Sequence, residues 1–481
     1  MSNMLDMGSM NENASMKEMK NNKHINLVVT IFLLGVFMGV IDTGIVSPVR
    51  EIIASYFNVN FNTSIWLITA YTITYAIFLP IVGSIADQYG KIKVFRISII
   101  IFGVSSLLCG ISGIFNVYWI LIISRIFEAI GAGGMMPLAT AYIGEAFPMN
   151  KRGYALGLVG AVYGVGTAIG PTLGSLIVNI FGLDKWGLIF LINVPISIVV
   201  LILLMNVKDE SIIKFKKKID VKGGIVLSLL ILSLMYSLTN LNFGNILESL
   251  INIKVYPFFI IFIILVPIFI KIESNSNNPI LNLVYFKDRN ICTTLILSFC
   301  ICFTMADLIF IPQLAANVLR LPAGSGGYFV TVVAIFSALF APLGGKLIDK
   351  FSVKNELIIG FISIILGGVI LSFITTKTCD VFSLIIALIL TGIGNGLTMG
   401  TPINYLMECF VPKENATSGQ AAAELLRSIG TALASNLLIN FMSNARNNIP
   451  HTIEQILLNF NINNKSITYS FSHVSSSMAN K

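Results

Sequence analysis

Pro80-Ile-Val-Gly83-Ser-Ile-Ala-Asp87-Gln-Tyr-Gly90-Lys91-Ile-Lys93 separates two long apolar runs. It reads as a tight, charged connection at a membrane face. Its small residues, one acid beside an apolar run and the basic residues that follow predict a hinge between helices rather than a passive linker. The composition around it agrees: of 481 residues, 55% are hydrophobic and 11% charged, with a mean hydropathy of +0.85. Soluble proteins carry roughly a quarter charged residues, so the fold class is an all-α polytopic membrane protein.

Working outward, residues 1–26 are polar and read as a cytoplasmic tail. The run Leu27–Val49 is too long for the core of a cleavable signal. A helix rises about 1.5 Å per residue and needs about 20 residues to cross the hydrocarbon layer. On that measure spans are expected near Leu27–Val49, Thr63–Val82, Val94–Ile114, Val117–Ala146, Tyr154–Ile180 and Gly187–Val207. Two more, Gly223–Leu241 and Val255–Ile272, precede five at Ile291–Pro312, Tyr328–Leu347, Glu356–Thr376, Phe382–Met407 and Ser418–Met442. The total is about thirteen. The domains follow: a six-helix half over 27–207, a basic linker over 208–222, two extra central helices and a loop over 223–290, a five-helix half over 291–442, and a polar tail over 443–481.

The net charge of +8 marks topology rather than nucleic-acid binding. Lys91, Lys93 and Arg96, then Lys151 and Arg152, Lys214–Lys218, Lys287 and Arg289, Lys346 and Lys350, and Lys413 all fall on one side if the N-terminus is inside. The positive-inside rule therefore places the N-terminus in the cytoplasm, and an odd number of spans would leave the end of the chain outside. The Lys214–Lys218 run is suited to anionic inner-leaflet lipid.

Other chemistry is poorly served. The six cysteines are scattered and show no zinc spacing, and His24, His451 and His473 lie in the terminal tails. No G-x-x-x-x-G-K-[ST] loop occurs, which argues against a built-in ATPase. A membrane enzyme would need a clustered His/Asp/Glu constellation, and the sequence has none. No metal, cofactor or nucleic acid is expected.

Pro80-x2-Gly83-x3-Asp87 is echoed at identical spacing by Pro342-x2-Gly345-x3-Asp349, with Ser352 where the first copy has Gly90. Asp42-x5-Pro48 in the first span is matched more loosely by Asp307-x4-Pro312 in the ninth. Paired in the same order, these features favour duplicated halves, a common build of secondary transporters.

With Gly83–Lys93 go Arg125-Ile-Phe-Glu-Ala-Ile-Gly131-Ala-Gly133 in the fourth span and Gly166-Thr-Ala-Ile-Gly170-Pro171-Thr-Leu-Gly174 in the fifth. Ile41-Asp42-Thr43 and Phe190-Leu-Ile-Asn193-Val-Pro195 complete the set. On these residues the chain resembles the major facilitator superfamily and, within it, the fourteen-helix drug:proton antiporter branch, over about Leu27 to Met442. The resemblance implies proton-coupled export of small amphipathic, often cationic compounds by alternating access, in a monomer of the cytoplasmic membrane. It also implies a gating role for Gly83, Asp87, Gly90, Lys91, Gly345 and Asp349, and an antiporter motif in Gly166, Gly170, Pro171 and Gly174. The chain departs from the branch twice. No stretch after Met442 is long and apolar enough for a fourteenth helix, which would either leave the cavity intact or mark a damaged gene. Ser47 and Glu51 stand where the branch has Asn and Pro. An uptake symporter of the same fold, or a non-transporting membrane protein, are the competing readings.

Ionisable groups inside spans are costly and point to function. By helical rise Asp42 lies about 22 Å into the first span, at a depth close to Arg125 and Asp307. Arg125 is expected to pair with Asp42 or Asp307, either as a permanent structural pair or as a switch in which protonation of the acid alternates with substrate binding. A low dielectric disfavours a charged acid and a nearby arginine favours it, so closure and opening can move the proton. Glu128 is either a second protonatable site or the i,i+3 partner of Arg125, and Glu424 and Arg427 repeat that spacing. Asp87 is expected to accept from backbone N–H groups at another helix's N-terminus or to pair with a nearby arginine.

Overall fold

A computed structural model describes residues 25–459, except 206, 208–219, 245, 277, 306–310, 312–313, 315–318, 320–325 and 379; the side chains of 61–62, 305, 326–327 and 442–459 are also left aside. Eleven helices among the described residues are long and apolar enough to cross a membrane. They are α1 (Ile25–Tyr56), α2 (Trp66–Tyr89), α3 (Lys91–Phe115), α4 (Tyr118–Ala146), α5 (Met149–Phe181), α6 (Leu188–Met205), α7 (Val221–Asn240) and α8 (Tyr256–Ser274). After α9 (Arg289–Met305) come α10 (Gly326–Lys350), α11 (Val353–Thr378), α12 (Val381–Phe410) and α13 (Ala416–Asn459). The described part of α9 is too short to cross alone, and α13 mixes polar with apolar residues along its 44 positions. Both occupy expected spans. Helix α13 runs past Met442, where the sequence suggested a tail, to Asn459.

The opening stretch is not a loop. Helix α2 carries Pro80 through Tyr89 in helical conformation, and α3 starts at Lys91. The entire connection is Gly90, at φ 96° and ψ 136°, a conformation that glycine adopts without Cβ strain. In the second copy Ser352 turns the chain differently: its backbone is extended (φ −171°, ψ 155°), and its hydroxyl accepts the N–H of Asn355 as an N-cap. A serine thus replaces the glycine by capping rather than by backbone freedom.

Helices α1–α6 enclose one buried core, with Phe32, Phe95, Phe102, Leu138 and Val200 at its centre. Helix α5 lies along α10, and α2 along α13, so each six- or five-helix set meets the other through a corresponding pair. A second core joins Ile73, Ala76 and Leu79 of α2 to residues of α7, α9, α12 and α13. Helix α7 packs on α8, α2 and α13, while α8 is mostly exposed, as a lipid-facing helix should be.

Candidate functional site

Asp42 of α1 and Arg125 and Glu128 of α4 are 0%, 1% and 0% exposed. One guanidinium nitrogen, Arg125 Nη1, donates to Asp42 Oδ2 at 2.7 Å and to Glu128 Oε2 at 2.8 Å. The i,i+3 spacing lets Glu128 reach back to Arg125, while α1 supplies the second acid from 83 residues away. The Asn193 amide of α6 donates to Asp42 Oδ1 at 3.2 Å and to Ser106 Oγ at 3.1 Å. The Cys109 thiol lies 3.4 Å from Glu128 Oε2. The Arg125 guanidinium carbon sits 4.0 Å from the centre of the Tyr71 ring, a cation–π contact sheltered from water. Asn193, Ser106 and Tyr71 join the cluster through the packing of α6, α3 and α2, and their mark in the sequence is a polar side chain inside an apolar span.

A second pair lies across the molecule on α13. Arg427 Nη1 donates to Glu424 Oε2 at 2.6 Å, and the Tyr75 hydroxyl donates to Glu424 Oε1 at 3.4 Å. Tyr71 and Tyr75, one turn apart on α2, hold nearly parallel rings with centroids 6.4 Å apart. They connect the two charged groups. Between them is a cavity of about 580 Å³, bordered by Arg125, Tyr71, Tyr75, Glu424 and Arg427. Its remaining surface is largely apolar, including Met135, Met136, Met235 and Met399. Methionines adapt to ligands of varied shape. Asp307 lies outside the described residues.

The cavity reaches Ile65 and Ile68 at the start of α2 and Thr239 at the end of α7. The opposite end of α2 is clamped. Asp87, in the last turn of α2, accepts the N–H groups of Thr417 and Ser418 at 2.9 and 2.8 Å. Asp349, at the end of α10, accepts those of Gly153 and Tyr154 on α5 at 2.8 and 2.9 Å. Two carboxylates from the repeated motif therefore each grip the backbone near the start of a helix in the other half, where the helix dipole favours negative charge. Lys91 pairs instead with Glu145 at 2.8 Å. Gly83 lies against Thr417, Ser418 and Ala421, and Gly345 against Gly153 and Tyr154.

The fifth-span glycines face α1. A Cβ on Gly170 would lie 3.0 Å from the Ile41 carbonyl oxygen and 3.1 Å from Gly44 Cα; Gly166 meets Val40, Gly174 meets Ile45, and Pro171 meets Gly44. These residues bring α5 close to α1 beside Asp42. A separate stripe on α5 faces α10, where a Cβ on Gly157 would lie 2.6 Å from the Ala341 carbonyl oxygen.

Residues 32–435 match the family model described as Major Facilitator Superfamily. The chain is 34% identical to the uncharacterized MFS-type transporter YfiU of Bacillus subtilis (strain 168), over 86% of this chain and 79% of that protein. It is 31% identical to Multidrug resistance protein 3 of the same organism, over 88% of this chain and 80% of the relative. Among solved structures, the proton:xylose symporter XylE bound to 6-bromo-6-deoxy-D-glucose superposes with a TM-score of 0.63 at 16% identity, covering 90% of this chain and 91% of that one. That likeness bears on the fold alone.

Proposed function

The chain belongs to the Major Facilitator Superfamily, a family of transporters rather than enzymes, and from that premise we propose that it exports small amphipathic compounds in exchange for protons. The observation that carries this reading is the Asp42–Arg125–Glu128 cluster on the wall of an apolar cavity clamped at one end. One arginine balances one carboxylate. The second carboxylate leaves a buried negative charge, which is expensive in a membrane, and one proton cancels it. Arg125 and Tyr71 border the cavity directly, so substrate arriving there meets the cluster whose charge the proton sets. The apolar, methionine-bearing wall suits poorly hydrated compounds, and the multidrug name of a relative supports the same class.

In this reading the protein is a monomer of the cytoplasmic membrane with its N-terminus inside. Gly83, Asp87, Gly90, Lys91, Gly345 and Asp349 serve the gate, and the open end of the cavity faces outward. Gly166, Gly170, Pro171 and Gly174 favour exchange over uptake by holding α5 against α1.

The test is efflux from energised vesicles over a panel of cationic and neutral amphipaths. Asp42→Asn leaves Arg125 paired with Glu128, so the variant should fold and bind substrate. It should lose transport driven by a proton gradient by tenfold or more, on the order expected for removing a positioned proton acceptor. Undiminished gradient-driven transport in Asp42→Asn would overturn the coupling role, and transport into rather than out of the equivalent of the cell would overturn the direction.

A further inference from the structure

The two arginines that border the cavity are not used alike. Arg125 is shared by two carboxylates. Arg427 is paired with one, Glu424, although it too is buried, at 4% exposed. Its Nε and its second terminal nitrogen have no hydrogen-bond partner among the described residues. Across from it on α12, Asn395 is 1% exposed. Its amide oxygen accepts from Thr304 at 3.3 Å, and its amide nitrogen is likewise unpartnered.

Both side chains border a small void of about 10 Å³, with Tyr163 and Ser337 completing its polar edge. Met136, Tyr163, Met399 and Arg427 border this void and also the main cavity, so it lies at the floor of that cavity. Its size is close to that of a single oxygen-sized occupant, since one water needs roughly 10–15 Å³. Guanidinium nitrogens donate and cannot accept, and the free Asn395 nitrogen also donates. Buried donors left unmade cost free energy that a matching acceptor recovers. The complement is therefore an oxygen acceptor. The Arg125 cluster shows on this same scaffold that one guanidinium can hold two carboxylates, and the Arg427 site supplies only one.

We infer that Arg427 and Asn395 form a carboxylate-binding subsite at the cavity floor, the second carboxylate being brought by the ligand. The apolar body of such a ligand lies against Met136 and Met399, and its carboxylate oxygen enters the void. The inference rests on the cavity being the substrate site, and it adds a chemical class to that reading: amphipaths bearing a free carboxylate, zwitterions included. A buried guanidinium holds a carboxylate more tightly than a neutral carbonyl, because the bond to the charged acceptor is the stronger one.

The probes are rhodamine B and its ethyl ester, which differ in whether the benzoate is free, measured by equilibrium dialysis against the full-length purified protein. The unmodified protein should bind the acid about tenfold more tightly than the ester, the scale of one charge-assisted hydrogen bond. Asn395→Asp, which sets a carboxylate against the subsite, should abolish that preference by weakening the acid about tenfold more than the ester. The paired variant Glu424→Gln/Arg427→Gln leaves no lone buried charge and should bring the preference close to one. If the paired variant does not fold, Asn395→Asp decides alone. A preference that survives in Asn395→Asp overturns the subsite, as does unmodified protein that binds the acid no better than the ester or binds neither dye. Thr43→Trp, on the far wall of the cavity, separates the two readings. If it blocks both dyes while the preference ignores Asn395 and Arg427, the cavity stands as the binding site and the subsite falls. If it blocks neither dye, both fall.

Discussion

Glu356 is 0% exposed, and neither of its carboxylate oxygens has a hydrogen-bond partner among the described residues. It sits in the first turn of α11 against Gly344 and Leu397. In the first copy of the repeat, counting from Asp87 as from Asp349, the same place is held by Val94, a buried core residue. An acid thus occupies an apolar position with no compensating bond, and such groups weaken a fold relative to an apolar residue of similar size. Glu356→Met is expected to stabilise the protein by about 1–3 kcal/mol, read as a higher midpoint in thermal unfolding of the purified protein. A lower midpoint would mean that the carboxyl has a partner that sustains it. At this scale the sequence spoke loudly only where charge interrupts a long apolar run. Asp42 and Arg125 stood out for that reason. Glu356 begins its span beside Lys354 and Asn355, so no long apolar run sets it apart in the sequence. Asn193 and Tyr71 matter through what other helices bring to them, which spacing along one chain does not reveal.

Helix α5 is tightly constrained, because two faces of it are stripped to glycine for two different neighbours. Gly166, Gly170 and Gly174 recur every fourth residue and face α1, within one half; Gly153 and Gly157 face α10, in the other half. The consequences of adding bulk should therefore differ. Gly170→Val pushes α5 from α1 inside a packed core and should cost roughly 1–3 kcal/mol of stability, the usual range for overpacking. Gly157→Val presses on the Ala341 carbonyl at the contact between halves. It should leave each core intact and instead raise the reactivity of a cysteine placed at Ser84 or Tyr154, near the clamped end. Thermal unfolding and maleimide labelling of the two variants distinguish these outcomes; equal loss of stability with no change in labelling would refute the division of labour. The glycine spacing along α5 was legible as a motif. Its direction was not, since the four-residue period gives a face and only packing gives the partner. The stretch from Pro80 to Lys93 shows the opposite limit: turn-forming residues suggested a loop, yet burial against α13 keeps Gly83 to Tyr89 helical and leaves the reversal to Gly90.

For the whole molecule, the proposed transport cycle has the two clamps act on one equilibrium. Asp87 ties the end of α2 to the start of α13, and Asp349 ties the end of α10 to α5, each with two backbone hydrogen bonds. All four bonds lie at the end away from the cavity mouth at Ile65 and Thr239. The repeated motif made this pairing of halves legible, although neither helix receiving the carboxylates could be named from spacing alone. Hydrogen bonds to a charged group contribute about 1.5–3 kcal/mol each. Replacing a carboxylate by an amide keeps the shape and weakens both of its bonds. Asp87→Asn should therefore shift the population toward the form open at the other end by roughly tenfold, and Asp87→Asn/Asp349→Asn by more than either alone. The measurement is labelling by a membrane-impermeant maleimide of a cysteine at Thr239, at the cavity mouth, in intact cells. The double variant should label more slowly there, because its mouth spends less time open. Two amide substitutions that leave the Thr239→Cys rate unchanged would mean that the glycine contacts at Gly83 and Gly157, rather than the aspartates, hold the end shut. In that case Gly157→Val would become the stronger lever on the same rate.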